Sequence, residues 1–270
     1  MPLEELHRQV AVIVLRAAAG YGFALGGGNA LIQHGVISRP TQDVDLFTDH
    51  EGGVLAAAGA VEAALRKAGF RAERQDDTAG LAEVFPGMGE GLAEWIITAP
   101  GGEQLALQLA YFDRAREPVI TDVGPVLDLE DAVGGKVAAL ASRAYERDYL
   151  DTAAALGRYS PAELIGFARR LDPGLEGQDF AEAGQRLDEM PDYAFTSSGL
   201  SQQDVARLRE RFAVWPRDAG AVAADTAEDP SRHLDQARDE PASAAAEDTG
   251  QPRKHRDVRQ AEPDEPEIEP

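Results

Sequence analysis

Cysteine is absent from the 270 residues of this chain. Disulfide bonds, thiolate metal sites and cysteine nucleophiles are therefore excluded. The five histidines occur singly, and none is spaced from another like a pair of metal ligands. Any metal site is expected to use carboxylate oxygens, which favour hard cations such as Mg²⁺ or Mn²⁺.

Long hydrophobic runs are also absent. No stretch of eighteen apolar residues occurs, and the first residues, MPLEELHRQV, lack the basic start and apolar run of a secretory signal. We therefore expect no membrane contact and a cytoplasmic protein.

Basic residues are scarce, with 26 Lys and Arg against 48 Asp and Glu and a net charge of −22. Lys and Arg must neutralise phosphates when a protein binds along a nucleic-acid backbone, so a broad nucleic-acid surface is not expected. Any contact with nucleic acid has to be local. The hydrophobic content of 43% is ample for a buried core.

The order of the predicted elements indicates an α+β protein in three parts, residues 1–125, 126–219 and 220–270. Strands are predicted at Gly22–Gly26, Val44–Thr48, Phe70–Arg74, Leu81–Phe85, Glu94–Thr98 and Leu105–Phe112. Helices are predicted at Leu3–Ala19, Asn29–His34, Val54–Ala68, Asp131–Ala144, Asp148–Leu156, Pro161–Leu171, Gln178–Met190 and Ser201–Phe212. A mixed α/β domain thus precedes a helical domain, and the Ala-, Asp-, Glu- and Pro-rich end predicts a disordered acidic tail.

Three consecutive glycines, Gly26, Gly27 and Gly28, separate a short apolar strand from a helix start in FALGGGNALIQHG. Glycine permits positive φ and close approach of a ligand, and the amides of a helix start favour phosphate. Asn29 follows as a polar cap that can bond a free N–H or a phosphate oxygen. A tight strand-to-helix turn explains the cluster equally well, and the spacing fits neither the Walker A nor the dinucleotide pattern.

Asp43 and Asp45 stand two residues apart on a predicted strand, in TQDVDLFTD. Their side chains therefore share one face of the strand, while Val44 and Leu46 point to the other. Two sheltered carboxylates repel each other unless a cation lies between them, so the pair predicts a divalent metal site. The alternative is an exposed strand with acidic residues facing water.

The succession of an apolar strand, Gly-Gly, a polar residue, Ala-Leu, a short helix and Asp-x-Asp-Leu-Phe resembles the nucleotidyltransferase superfamily. It is more narrowly similar to the AbiEii/AbiGii toxin family of type IV toxin–antitoxin systems. Downstream, KVAALASRAYERDYLDTAAAL is similar to that family's second signature, a lysine on one helix followed by Arg-Asp-x-x-Asp opening the next. The two motifs span about Tyr21 to Leu156. The resemblance implies a nucleotidyltransferase-like mixed sheet with flanking helices, followed by a C-terminal helical bundle.

The same resemblance implies a role for each matching residue of the first motif. The residues that would hold the nucleoside triphosphate are Gly26, Gly27, Gly28 and Asn29, with the register of the triple glycine left open. Asp43 and Asp45 would bind Mg²⁺ or Mn²⁺ and act in catalysis.

In the second motif, Lys136 and Asp148 are implied as catalytic residues: Lys136 would reach the phosphates and Asp148 would complete the helical side of the site. Arg147 is implied as a nucleotide-binding neighbour, and Asp151 as a neighbour of open role. The alternative is a set of surface ion pairs on a helical hairpin. Gly134 and Gly135, just before the lysine, suggest a close approach of this helix to the sheet.

The implied activity is a transferase that moves an NMP group from an NTP to an acceptor. The acceptor would be RNA, such as tRNA, or a protein hydroxyl, and an antitoxin protein would be the partner. A sugar-nucleotide glycosyltransferase is a weaker alternative, because the helical lysine and the glycine turn count against it.

One departure concerns the third carboxylate that many nucleotidyltransferases carry on a later strand. The strand EQLALQLAYFD offers Gln108 there, and a neutral amide is a poor magnesium ligand and no general base. Glu94, Glu103 and Asp113 are possible substitutes that the sequence does not place. A catalytically degenerate protein that binds nucleotide or a partner on the same fold is therefore the main alternative.

Overall fold

The structure is a computed structural model that describes residues 4–75, 91–197 and 199–225. These residues belong to one compact unit. The predicted strand at Leu81–Phe85 and the predicted tail beyond residue 225 lie outside the described residues, and the boundaries between the three predicted parts stay predictions. None of the described helices is both long and apolar enough to cross a membrane.

Seven described strands form one mixed sheet in the order β3-β4-β5-β2-β1-β7-β6. The strands are β1 (Ala24–Leu25), β2 (Asp43–Thr48), β3 (Arg71–Arg74), β4 (Leu92–Thr98), β5 (Gln104–Tyr111), β6 (Val119–Thr121) and β7 (Gly124–Val126). Strand β2 runs parallel to β5 and antiparallel to β1, and β5 runs antiparallel to β4. The centre of the sheet is therefore β5-β2-β1.

Ten helices are described along the chain. They are α1 (Glu5–Ala17), α2 (Gly27–Gln33), α3 (Gly53–Lys67), α4 (Leu129–Ser142), α5 (Glu146–Ala155), α6 (Pro161–Leu171), α7 (Gly177–Glu189), α8 (Asp192–Thr196), α9 (Gln202–Phe212) and α10 (Ala219–Asp225). A single 3₁₀ turn, Ala19–Tyr21, precedes β1.

The two faces of the sheet differ because side chains alternate along each strand. In β2 the side chains of Val44 and Leu46 are fully buried, whereas Asp43 and Asp45 are half-buried on the opposite face. The buried face packs against α1 and α3, and the indole N–H of Trp95 in β4 donates to Glu62 of α3 at 2.9 Å. The opposite face of the sheet points towards helices from the second half of the chain.

Close helix packing explains Gly134 in α4. A Cβ atom at this position would lie 2.9 Å from the backbone oxygen of Phe167 in α6, so only glycine lets the two helices approach this closely. The expected approach of this helix to the sheet therefore involves Gly135 and not Gly134. A Cβ atom at Gly135 would lie 3.6 Å from the ring of Phe112, which follows β5.

Four short elements, two strands and two helices, were not predicted. The strands β6 and β7 form a hairpin of three residues each, too short for an alternating pattern, and α8 has five residues. Residues 220–225, assigned by composition to the tail, belong to α10. Val222 of that helix is buried beside Gly177 of α7, a contact that local composition does not reveal.

Candidate active site

A cavity of about 1160 Å³ lies between the half-buried face of the sheet and the helices α4 and α5. One side, here called the strand wall, carries Asp43, Asp45, Gln108 and Glu94. The facing side, here called the helix wall, carries Arg39, Lys136, Arg143 and Arg147. Carboxylates thus face cations across the cavity.

The glycine turn is fitted tightly against the strand wall. The backbone N–H of Gly26 donates to the carbonyl oxygen of Asp45 at 2.8 Å. Gly27 has φ +57°, and a Cβ atom there would lie 1.8 Å from Oδ2 of Asp45. A Cβ atom at Gly26 would lie 2.1 Å from the ring of Phe47. The contacts require glycine at both positions, whatever the turn binds.

Asn29 stabilises this turn from the side that faces away from the cavity. Its amide donates to the carbonyl oxygen of Asp43 at 2.7 Å and accepts from the hydroxyl of Thr41 at 2.8 Å. Because the side chain is only 1% exposed, it does not face the cavity, which Gly27 and Gly28 do line. The predicted contact of Asn29 with nucleotide stays a prediction.

The acidic pair lies on one face of β2, as the spacing predicts. Burial, and then the charge of Asp43, raise the pKa of Asp45 from 3.8 to about 6. The charges of Lys136, Arg147 and Arg143 oppose this shift without cancelling it. The guanidinium of Arg147 lies 3.9 Å from Oδ2 of Asp43. The positive charge near the pair therefore offsets its negative charge only in part.

A divalent cation fits this arrangement. Mg²⁺ is commonly bound by one or two carboxylates, with phosphate oxygens and waters completing its octahedron. The described residues contain no group of three or more His, Asp or Glu arranged around a common point. Asp43 and Asp45 therefore fit a metal that a bound triphosphate completes, and do not fit a cage made by the protein alone.

Asp148 lies behind the helix wall. It is fully buried and accepts hydrogen bonds from Nε and Nη2 of Arg143 at 3.0 and 3.2 Å. It also accepts from the backbone N–H of Tyr145 at 3.2 Å, which caps α5. The structure thus places this predicted catalytic residue where it positions Arg143, and a catalytic role stays a prediction.

The turn between α4 and α5 brings Arg143 to the cavity. Ala144 has φ +52°, a left-handed conformation that is costly for a residue with a side chain and recurs at functional sites. Arg143 and Tyr145 on either side of it both line the cavity, and the guanidinium lies 5.1 Å from the tyrosine ring centre.

Asp151 is the second buried carboxylate behind the helix wall. Its Oδ1 accepts from Nη2 of Arg39 at 2.6 Å, and its Oδ2 lies 3.2 Å from Nζ of Lys136. One carboxylate without exposed surface therefore fixes two cations that come from different parts of the chain. The alternative interpretation, a surface ion pair of Arg147 with Asp148, is not what the structure shows: Asp148 is buried and pairs with Arg143, and Arg147 lies 3.9 Å from Asp43.

Arg39 and Arg143 line the cavity and were not proposed as site residues, and Glu94, which also lines it, was named only as a possible third acid. The sequence carried a weak signal for the two arginines, since each stands four or five residues before an aspartate of a motif, in SRPTQDVD and SRAYERD. A basic residue in that place is equally consistent with a solvated loop. Only the fold shows that each one is held by a buried carboxylate.

The strand register shows which candidate for a third acid lies nearest the acidic pair. Gln108 of β5 stands opposite Asp45 of β2, and Glu94 of β4 stands opposite Gln108. The amide of Gln108 donates to Oε1 of Glu94 at 2.8 Å. Of the three candidate substitutes, Glu94 lines the cavity, whereas Glu103 and Asp113 are exposed and do not.

A family model described as the nucleotidyl transferase AbiEii toxin of type IV toxin–antitoxin systems matches residues 13–240. The chain belongs to the AbiEii family. The family suggested by the two sequence motifs is thereby confirmed. A comparison with curated protein sequences gave no match.

Solved structures with the same fold come from two bacteria. JHP933 from Helicobacter pylori is 14% identical, with a TM-score of 0.50 over 83% of this chain and 93% of that chain. A putative nucleotidyltransferase from H. pylori is 14% identical, with a TM-score of 0.51 over 83% and 96%. MenT4, a nucleotidyltransferase toxin from Mycobacterium tuberculosis, is 16% identical, with a TM-score of 0.48 over 82% and 87%.

Membership of the AbiEii family indicates that this protein is a transferase of nucleotidyl groups and a toxin. It also implies a nucleoside triphosphate as substrate and an antitoxin as partner. The predicted nucleotidyltransferase-like mixed sheet with flanking helices is confirmed by the sheet itself and by the structures that share the fold.

Proposed function

We propose that this AbiEii protein is a magnesium-dependent nucleotidyltransferase that moves an NMP group from an NTP to an acceptor hydroxyl. The observation that carries the proposal is the pair Asp43 and Asp45, which is half-buried, is only partly compensated by nearby positive charge and lies against the glycine turn. A nucleoside triphosphate with its metal supplies both the missing cation and the anion that the facing helix wall requires.

In the proposed reaction, Asp43 and Asp45 hold Mg²⁺ or Mn²⁺, which neutralises charge on the phosphates when bound. Gly27 and Gly28 leave room for the triphosphate beside the pair. Lys136 and Arg147 face the phosphates from the helix wall and stabilise the negative charge that grows on the leaving pyrophosphate. Asp148 and Asp151 act indirectly by fixing Arg143 and Lys136.

For the acceptor, we propose the end of an RNA such as tRNA, with a protein hydroxyl as the second choice. The net charge of −22 disfavours an extended nucleic-acid surface, whereas the four cations of the helix wall lie inside the cavity. With positive charge concentrated in the cavity, an acceptor that inserts only one end, carrying a hydroxyl, is favoured over one that lies along the protein surface. We further propose that the toxin acts in the cytoplasm, where such acceptors are found.

The test is a transfer assay with each of the four labelled ribonucleoside triphosphates, Mg²⁺ or Mn²⁺, and either total RNA or total protein. We expect label in RNA with the wild-type protein and none with Asp45→Asn. Asp113→Asn is the matched control, because Asp113 is an exposed aspartate outside the cavity. Label in protein alone would replace RNA by a protein hydroxyl as acceptor.

One specific feature favours a second function. Gln108 occupies the strand position next to Asp45, where a neutral side chain supplies neither charge nor base. A degenerate protein that binds nucleotide without transferring it would show saturable triphosphate binding in calorimetry and no label in any acceptor. That result would contradict the proposed transferase and favour the binding protein.

A further inference from the structure

The strand wall holds a row of three polar side chains, one on each of three neighbouring strands. Asp45 of β2, Gln108 of β5 and Glu94 of β4 stand directly opposite one another in the register. Neighbouring strands are about 4.8 Å apart, so Glu94 lies about 10 Å across the sheet from Asp45. The side chains flanking Gln108 on the same face are small, Ala106 and Ala110.

We infer that Glu94 is the general base of the transfer reaction and that Gln108 positions it. This inference rests on the proposed function, since it names the residue that accepts the proton from the acceptor hydroxyl. Glu94 on β4 is separated from Asp43 and Asp45 on β2 by the strand β5. This distance leaves space between them for the α-phosphate and the attacking oxygen.

The hydrogen bond between Gln108 and Glu94 explains why an amide is suitable at the middle position. A carboxylate only accepts hydrogen bonds, so the amide must turn its N–H₂ group towards Glu94. The 2.8 Å bond fixes the carboxylate on the open face of the sheet. A carboxylate at position 108 would instead repel Glu94 as long as Glu94 is present.

The other acids of the cavity are less suited to the role. Asp131 is 1% exposed and accepts from the backbone N–H of Arg116 at 2.9 Å. Glu146 belongs to the first turn of α5, on the same side as the cations. Among the described residues no Lys or Arg forms an ion pair with Glu94, so its carboxylate is held by an amide alone.

The proposed step is balanced without a further reactant. The acceptor O–H bond breaks as its proton passes to Glu94, and the acceptor oxygen forms a bond to the α-phosphorus. The bond from the α-phosphorus to its bridging oxygen breaks, and pyrophosphate leaves with that electron pair. Glu94 returns the proton to solvent before the next turnover.

The first variant is Glu94→Gln, with Glu103→Gln as the matched control, because Glu103 is an exposed glutamate in the turn between the same two strands. Loss of a positioned general base typically lowers the rate about 10²- to 10⁴-fold. We expect kcat to fall about 10²-fold. The KM of the triphosphate and its calorimetric affinity should stay unchanged, because the metal pair and the helix wall are intact.

The second variant exchanges the two side chains, Glu94→Gln together with Gln108→Glu. It keeps an amide–carboxylate hydrogen bond between β4 and β5 and restores an acid to the row. We expect it to be at least about tenfold faster than Glu94→Gln alone, which is a small part of the effect of a general base. Melting temperatures of all variants show whether each one is folded.

Two results overturn the inference and leave the proposed function standing. One is transfer by Glu94→Gln at the rate of Glu103→Gln; the other is a folded exchange variant as slow as the single variant. A wild-type protein that binds triphosphate and transfers no label overturns both the inference and the proposed function.

Discussion

The two walls of the cavity contain the same residue type in two different states. On the strand wall, Asp43 and Asp45 are half-buried, and the pKa of Asp45 is raised by burial and by its neighbour. Behind the helix wall, Asp148 and Asp151 are fully buried and bonded to cations within 3.2 Å. The two pairs stand in similar Asp-rich motifs and yet have opposite electrostatic surroundings.

The difference shows that the role of an aspartate here depends on its burial and its charged neighbours. These determine whether it is free to bind a metal ion or holds neighbouring side chains in place. A carboxylate already paired with arginine or lysine has little left to offer an external cation. A half-buried pair whose positive neighbours offset its charge only in part stays unfavourable until a further cation arrives. The strand wall is therefore suited to binding, and the helix wall is organised to hold its cations in place.

The largest expected effect tests the strand wall. Asp45→Asn removes one of the two proposed metal ligands, and we expect nucleotidyl transfer to fall by about 10³-fold, as for other groups that stabilise transition-state charge. The rate of label transfer at saturating triphosphate measures this. Asp113→Asn should keep the wild-type rate. If its transfer rate falls as far as that of Asp45→Asn, the effect does not depend on the position of Asp45 in the strand wall.

The next effect concerns the contact between the glycine turn and the strand wall. Gly27→Ala would place a Cβ atom 1.8 Å from Oδ2 of Asp45 at a φ of +57°. Because the carboxylate must move by more than an ångström, we expect transfer to fall about 10²-fold. Gly59→Ala is the control, since a Cβ atom there meets nothing within 4 Å. An active Gly27→Ala protein would show that the turn and Asp45 are not mutually fitted.

A smaller effect is expected at the helix wall, and it is measured as a change in the free energy of unfolding. Asp151→Asn leaves Arg39 and Lys136 without their shared partner, and both cations are partly exposed, at 35% and 17% of their side-chain surface. We expect the free energy of unfolding to fall by about 2 kcal/mol, below the range for a wholly buried pair. Urea denaturation measures it. Asp122→Asn, which removes the exposed pair with Arg8, should cost less than about 0.5 kcal/mol.

The smallest effect is a pH dependence of the metal-free protein. Because folding raises the pKa of Asp45 from 3.8 to about 6, ionisation of this group lowers stability as pH rises through that window. Asp45→Asn should therefore raise the melting temperature at pH 7.5, by an amount corresponding to about 1 kcal/mol after solvent screening. Well below pH 3.8, where the carboxyl is protonated in both states, the difference should vanish. A variant less stable than the wild type at pH 7.5 would contradict this.

Sequence was sufficient for the parts of the fold that rest on local pattern. The two-residue spacing of Asp43 and Asp45 placed them on one face, and the long amphipathic runs gave helices such as Pro161–Leu171 at their observed bounds. The hairpin of β6 and β7 was missed because strands of three residues carry no period. Helix α10 was missed because its burial depends on α7.

The site was only partly predictable for a similar reason. Motifs show which residue types stand near one another in sequence, and Lys136 and Arg147 do line the cavity with the acidic pair. The partners of Asp148 and Asp151 are set by how α4 and α5 turn, and by a loop that precedes β2. The position of Glu94 depends on strand order, which no local pattern in β4 or β5 encodes.

The fit between the glycine turn and β2 has an evolutionary consequence. The hydrogen bond from Gly26 to Asp45, the bond from Asn29 to Asp43 and the absence of room at Gly27 make the turn and the strand one rigid element. Substitutions on either side must then be matched on the other. In homologous chains, glycine should therefore persist at positions 26 and 27, and position 29 should covary with position 41, whose side chain it contacts.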